Sequence, residues 1–595
     1  MSIFREEMNI GRLMHIEPDP NSQYTAYVWF DYNLNLMNSL QEGDFLAVQS
    51  FQSTEEKEHF VILQIIKKMP RHYALPTDMK GYPGFLMEAA KSASQDWTTQ
   101  IDKSIEDTTK IICEAVPINM GFYLENSEEN SKNSLSGSYS LPMPGKEVKI
   151  LSYQFMEYIL NNGLDKKQEG ITKIGTLQHN NEIDIYLNIE SLMRLHFGIF
   201  GFTGAGKSNL ISTLINKVLE NSPNGTKIII FDIMGEYLTL LIDLLIKYPE
   251  SKIIGVGAQT FIDDLYNYYN NKTDIALNKA ADTMVNTNLY PKKLLKYKDI
   301  FKRPIKELIR RETFKVYEES LKELDRTIEE VINELGGIQG SKDDKPTIEQ
   351  IYNELKNFKV KEKGKEFIQK LESLGFTENS NAGKFIKKIK PKFLTKDIIS
   401  SLKANTFISI PFLTNELNDQ SKKAIYIIQS HDPDELKKFV MYLASAIYED
   451  RRKTGKILPL VSFILDEADE FIPQDTYIKG ESKVSRQAVE MLARRGRKFG
   501  LGIGIATQRV VYLDTNIMAQ PHTYFISKLP RSSDRERVAE AFAMNDSMFE
   551  QTFRFGKGDW LLVSHDATGL EAIPFPIHTE NAEDRIVKFL EGYSI

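Results

Sequence analysis

One octapeptide leaves few folds open to this chain. Gly201-Phe-Thr-Gly-Ala-Gly206-Lys207-Ser208 fits G-x-x-x-x-G-K-[ST]. An apolar run, 196–200, precedes it, and a helical pattern over 207–220 follows. Strand, glycine turn and helix are the context in which such a loop cradles phosphate. Glycines let the backbone wrap close to the anion, while amide N–H groups and the helix N-terminus face it. The candidate nucleotide-binding set is Thr203, Gly204, Ala205, Gly206, Lys207, Ser208 and Asn209. Lys207 supplies a point charge for the β- and γ-phosphates, and the Ser208 hydroxyl completes a Mg²⁺ shell. ATP and Mg²⁺ are the expected cofactors.

Such a site needs an acid at the end of a neighbouring buried strand. Val461-Ser-Phe-Ile-Leu-Asp466-Glu467 provides two. Asp466 is expected to hold the magnesium water shell, and Glu467 to orient or deprotonate the attacking water. Asp466-Glu-Ala-Asp469 also spells the signature of DEAD-box RNA helicases. The long helical stretch between phosphate loop and acid pair argues against that reading, as does the lack of a second recombinase-like domain. A further apolar run, 501–506, ends in Thr507-Gln508-Arg509, so Gln508 can sense the γ-phosphate or the lytic water. Between these two strands lies Arg494-Arg495-Gly-Arg497-Lys498. It is either a basic helix end or a source of an arginine for a neighbouring subunit's site, with Arg495 and Arg497 the candidates.

The runs 10–16, 24–30, 44–51 and 58–66 are short and rich in Val, Ile, Tyr and Phe, which suggests a small barrel or sandwich. The stretch 125–138 reads as an exposed loop, and 173–188 as one more hairpin of this β region. From 196, strands and helices alternate: strands at 226–234, 407–412, 461–465, 501–506, 523–529 and 559–564, and helices at 434–451, 484–499 and 533–542. That alternation implies a parallel sheet. Residues 265–405 read as a charged helical insertion, divided by a loop at 336–345. The expected division is 1–190 β domain, 191–264 first part of the core, 265–405 insertion, 406–580 second part and 581–595 tail.

Lys and Arg number 75 against 82 Asp and Glu, a formal charge of −7. Nucleic-acid contact must therefore come from a local patch. The basic stretches 292–311 and 384–396 could line a channel, although charged helix faces balanced by nearby glutamates are the simpler reading. A single cysteine excludes an intrachain disulfide and any multi-cysteine metal site. With no apolar run near the length of a membrane span and a charge at Arg5, a cytoplasmic protein is expected.

Taken together, these motifs resemble the HerA family of the FtsK–HerA group. Ile174-Gly-Thr-Leu and Ile185-Tyr-Leu are similar to the family's lead-in to the phosphate loop, and Phe231-Asp232-Ile-Met-Gly235-Glu236-Tyr237 is similar to its D-P-H-G-E-Y. Arg495-Gly-Arg497-Lys-Phe-Gly500, Thr507-Gln508-Arg509 and Gly558-Asp-Trp-Leu-Leu-Val-Ser564 follow in the family's order. The resemblance implies an α/β fold: a RecA-like P-loop ATPase core with an N-terminal small β-barrel, here with a helical insertion. It implies a homo-hexameric ring, double-stranded DNA in the channel, and Lys207, Ser208, Asp466, Glu467 and Gln508 in the roles above. Arg497, or else Arg495, becomes the arginine acting in trans. The family's second arginine, before the phosphate-loop strand, is matched with an offset by Arg194. The chain departs from the family at Asp469, where histidine is frequent, and at Asp232-Ile-Met.

Rings of this type work with a separate nuclease or effector, NurA-like in end resection, sirtuin-like or other in antiphage systems. The divergent turn and the insertion lean toward the antiphage branch. A motor on duplex DNA is the leading expectation. An ATP-regulated scaffold that licenses an effector, or a housekeeping resection motor, is the alternative.

Overall fold

The computed structural model describes residues 2–5, 10–19, 23–75, 83–97, 108–125, 135–222, 225–257, 260–317, 326–377, 379–393, 402, 404–542 and 546–593. Of the loop expected at 125–138, residues 126–134 lie outside these.

Seven N-terminal strands form the first sheet: β1 (Gly11–Asp19), β2 (Gln23–Asp31), β3 (Phe45–Gln49), β4 (Lys57–His72), β5 (Thr109–Glu125), β6 (Ser136–Gly137) and β7 (Glu147–Ile150). Their order is β2-β1-β7-β3-β4-β5-β6, and an added β2–β5 pairing closes six of them into a barrel. Closure removes the exposed edges of an open sheet. Leu13, Val28, Leu46, Val61, Ile111 and Val148 fill the interior.

Thirteen strands form the second sheet: β8 (Ile171–Leu177), β9 (Asn180–Asn188), β10 (Phe197–Phe200), β11 (Lys227–Asp232), β12 (Lys252–Gly255), β13 (Phe314–Tyr317), β14 (Phe407–Ile408), β15 (Ala424–Gln429), β16 (Val461–Leu465), β17 (Leu501–Thr507), β18 (Thr523–Ile526), β19 (Asp559–Ser564) and β20 (Phe575–Thr579). The order is β14-β13-β12-β15-β11-β16-β17-β10-β18-β19-β20-β8-β9. From β14 to β18 neighbours run parallel; beyond β18 they run antiparallel. β11, β16 and β17 are buried along their whole length, which is why they read as unbroken apolar runs. The helices used below are α1 (Lys207–Asn221), α2 (Pro433–Thr454), α3 (Ser482–Arg495) and α4 (Ala582–Gly592).

Several expectations need correction. The hairpin read at 173–188 belongs to the large sheet, where β8 pairs with β20. Ile174, Leu177, Ile185 and Leu187 bury there, in the same cluster as Leu210 and Leu214 of α1. The strand read at 407–412 stops at Ile408: the Ser409 hydroxyl accepts from Phe412 N and caps the helix Ile410–Leu417, with proline in its first turn. The stretch 265–405 is not wholly helical, because β13 lies within it and pairs with β12 and β14. Its helices from Ile328 to Phe393 gather a separate core around Phe367, Phe385 and Ile389. The 484–499 helix breaks at Arg495 into a 3₁₀ turn, Gly496–Phe499. Residues 581–595 are mostly α4, whose Ile586 and Leu590 enter the main core.

Candidate functional site

The octapeptide joins β10 to α1, and β10 lies between β17 and β18 with parallel neighbours on both sides. The loop therefore opens at the carboxyl ends of the strands, where open α/β sheets bind ligands. Gly204 and Gly206 have φ of 89° and 105°, a left-handed region that a side chain would strain. Trp560 underlies the loop: a Cβ at Gly201 would stand 3.7 Å from its ring and 3.1 Å from Ser527 Cβ. Lys207 is buried, and its ammonium donates to Gly201 O at 3.3 Å across the cradle. The Ser208 hydroxyl donates to Glu236 Oε2 at 3.1 Å.

The acid pair stands at the end of β16, two strands from β10. Asp466 Oδ1 accepts from Glu467 N at 3.0 Å, and Oδ2 from the Tyr237 hydroxyl at 3.0 Å. Burial pushes the Asp466 carboxyl up to about 7; Glu467 and Asp232 add to the rise, while Tyr237 and Lys207 oppose it. Glu467 is also raised, chiefly by burial, with Asp469 and Glu236 contributing. It sits in left-handed backbone, φ 50° and ψ 53°, which turns the chain sharply out of β16. Asp469 accepts from the Thr507 hydroxyl at 2.7 Å and is likewise raised by burial.

Asp232, at the end of β11, is wholly structural in its contacts. It accepts from the amides of Gly235, Glu236 and Tyr237 and from Gln429 Nε2. That turn delivers Glu236 to Ser208 and Tyr237 to Asp466. Neither Glu236 nor Tyr237 had a role in the sequence reading. Their signal was the Gly-Glu-Tyr directly after a buried strand ending in aspartate.

Four carboxylates (Glu236, Asp466, Glu467 and Asp469) thus surround one lysine and the more distant Arg509, whose nearest approach to Asp469 is 3.9 Å. Asp466, Glu467 and Asp469 are raised chiefly by burial, and neighbouring carboxylates add to the rise, so a hard cation bound there would favour their charged forms. Among the described residues no three His, Cys, Asp or Glu side chains gather as a closed metal nest. A magnesium at a phosphate loop needs none, since one or two protein oxygens, phosphate and water complete its shell. Ser208 and Asp466 fit that requirement.

Gln508 lies at the end of β17 and receives a hydrogen bond from the Thr203 hydroxyl, so it touches the phosphate loop. Asn209 turns the other way: its amide donates to Asn581 Oδ1 at 2.6 Å, and its oxygen accepts from Ala582 N. It joins α1 to the start of α4. Arg495 and Arg497 are exposed, and their side chains make no hydrogen bond or ion pair among the described residues. They precede β17, whereas Gln508 follows it. Seven strand residues span roughly 23 Å, so neither arginine is placed at its own phosphate loop. Arg194 Nε donates to Arg497 O at 3.0 Å.

Some cations of the two basic stretches are paired with carboxylates. Lys293 meets Asp584, Lys302 meets Asp282, Arg311 meets Glu307, and Lys390 meets Glu372 at 2.5 Å. Residues 394–396 lie outside the described residues. No described helix is long and apolar enough to cross a membrane.

Fold and site together define a RecA-like P-loop protein built for a nucleoside triphosphate. Residues 172–429 match the family model for the central domain of helicase HerA. A protein of Methanocaldococcus jannaschii designated a probable helicase is 24% identical over 67% of this chain and 64% of its own, just under two thirds of its length. The DNA double-strand break repair helicase HerA of Pyrococcus furiosus is 22% identical, covering 66% of this chain and 67% of that protein. Among solved structures, the bacterial conjugative coupling protein TrwB aligns over 72% of this chain and 92% of its own, at 12% identity and a TM-score of 0.34.

Proposed function

We propose that the chain is an ATP hydrolase that assembles as a hexameric ring and moves on double-stranded DNA, in concert with a separate nuclease or effector. The observation that carries this reading is the split of the catalytic groups across the sheet. Lys207, Ser208, Asp466, Glu467 and Gln508 converge at the carboxyl ends of the strands, while Arg495 and Arg497 stand unpaired at the other end. Placed away from their own phosphate loop, Arg495 and Arg497 would act on the site of a neighbouring copy.

In that site Lys207 and the loop amides hold the β- and γ-phosphates. Ser208 and Asp466 would hold Mg²⁺, which supplies charge neutralisation between the phosphate oxygens. Glu467, its proton affinity raised by burial, takes a proton from the attacking water. Gln508 orients that water and, through Thr203, connects hydrolysis to the loop. Arg497 from the adjacent copy stabilises the transferring phosphoryl group, with Arg495 as the alternative.

The relatives' names point to helicases and DNA repair. The turn Asp232-Ile-Met and the separately cored helical module favour an antiphage setting over housekeeping end resection, and a cytoplasmic location accompanies either.

Mixed assemblies test the reading. Arg497→Ala and Glu467→Gln proteins are each expected to bind ATP and turn over poorly. Mixed, they should recover activity, because some interfaces then combine an intact Glu467 with an intact Arg497. Failure to recover activity in assemblies shown to contain both chains would refute the trans arrangement.

A further inference from the structure

The acid pair, Gln508 and Glu236 all lie on the β17–β16–β11 side of the phosphate loop. A triphosphate whose γ-phosphate points there must bring its α-phosphate and nucleoside out on the opposite flank. That flank is built by β18, β19 and β20 and the start of α4.

A continuous wall stands on it. Gly558 N donates to Ala205 O at 3.3 Å, so the turn before β19 is bonded directly to the phosphate loop. A Cβ at Gly206 would meet Lys557 Cγ at 3.6 Å and Gly558 N at 3.8 Å. Gly558 has φ 92°, and a Cβ there would stand 3.3 Å from the His578 ring. Thr579 N donates back to Gly558 O at 3.0 Å, which locks the end of β20 to this turn. Asn209 closes the wall through Asn581.

Two side chains of this wall reach solvent beside the loop. Lys557 is 57% exposed although its ammonium pairs with Glu583 at 2.8 Å, and Glu583 is 4% exposed. His578 is 50% exposed; its Nδ1 pairs with Asp559 at 2.6 Å, which fixes the ring, and its Nε2 makes no hydrogen bond among the described residues. A fixed half-exposed ring and a lysine stem beside it make a flat surface with polar tips. That is the chemistry of a base-and-ribose shelf.

We infer that Lys557 and His578 form the nucleoside-binding wall of the triphosphate site, the ring of His578 and stem of Lys557 contacting base and ribose. The inference rests on the reading of the phosphate loop given above. It assigns to the β19–β20 end a selectivity that the loop itself cannot supply, since loop amides and Lys207 recognise phosphate alone.

The full chain is titrated calorimetrically with magnesium and either ATP or inorganic tripolyphosphate. Lys557→Ser and His578→Ala, singly and together, are compared with the parent, and Lys207→Ala serves as the control. The double variant should weaken ATP about ten-fold and leave tripolyphosphate within about two-fold. Equal weakening of both ligands would overturn the inference, because the residues would then only support the loop. Unchanged ATP affinity in the double variant would overturn it too. A Lys207→Ala protein that kept both affinities would instead refute the phosphate-loop reading, which separates the two failures.

Discussion

The Tyr237 hydroxyl donates to Asp466 Oδ2 at 3.0 Å, tying the turn after β11 to the acid at the end of β16. Both groups are buried. The bond stabilises the charged carboxylate against a burial that otherwise favours its protonated form. Removing the hydroxyl in Tyr237→Phe leaves the ring packing intact and takes away that support. A hydrogen bond to a charged group contributes about 1.5–3 kcal/mol, so ATP turnover should fall roughly ten-fold or more. Steady-state kinetics with saturating ATP check this; unchanged turnover would show that Asp466 does not depend on the bond.

Lys207→Ala should abolish triphosphate binding, and Glu467→Gln should keep binding while turnover falls roughly 100-fold or more, the scale of a lost general base. Fluorescent-nucleotide binding and phosphate release, measured on the same preparations, separate the two. Full turnover in Glu467→Gln would move the base to Asp469 or Glu236.

How much of this was legible beforehand depended on how local each feature is. The phosphate loop and the acid pair are contiguous runs beside buried strands, so Lys207, Ser208, Asp466 and Glu467 could be named from spacing. The strands 461–465 and 559–564 coincide with β16 and β19 for the same reason. β15 was missed although it is buried between β12 and β11; six residues carry no periodicity that separates strand from helix. β13 was hidden by the charged segments around it. The pairing of β8 with β20 joins residues about four hundred positions apart, and nothing local announces such a partner. The Ser208–Glu236 and Asn209–Asn581 contacts are tertiary in the same sense, which is why Asn209 was expected at the nucleotide and is found bonded to the start of α4.

His196 gives the pH dependence a sign. Its Nε2 meets Ala493 O at 2.9 Å and its Nδ1 accepts from Ile503 N at 3.0 Å, so the neutral ring joins β10 to α3 and β17. Burial lowers its pKa from 6.5 to about 4. The unfolded chain therefore binds the proton first, and stability is full above pH 6.5 and declines as pH falls toward 4. The loss should approach about 3 kcal/mol. Urea midpoints at pH 7.5 and pH 5 read it, and His196→Gln should flatten the difference.

Arg451 is fully buried at the end of α2. Its guanidinium donates to the carbonyls of Leu417, Ile457, Pro459 and Phe499 and to Asn418 Oδ1. Phe499 ends the turn that carries Arg497, so one side chain anchors that turn to the core. Arg451→Met would strand those acceptors and should cost about 3–5 kcal/mol. Arg451→Lys should rescue little, because an ammonium offers three donors to a cage shaped for a planar fork. Thermal melts of the two variants decide it.

The most direct test of the account is the steady-state ATPase rate of the parent protein with and without linear duplex DNA, at low and moderate salt, with Glu467→Gln as blank. A rate that rises with DNA, and rises less as salt increases, is the predicted result. Turnover indifferent to DNA at both salt concentrations would contradict a motor on duplex DNA.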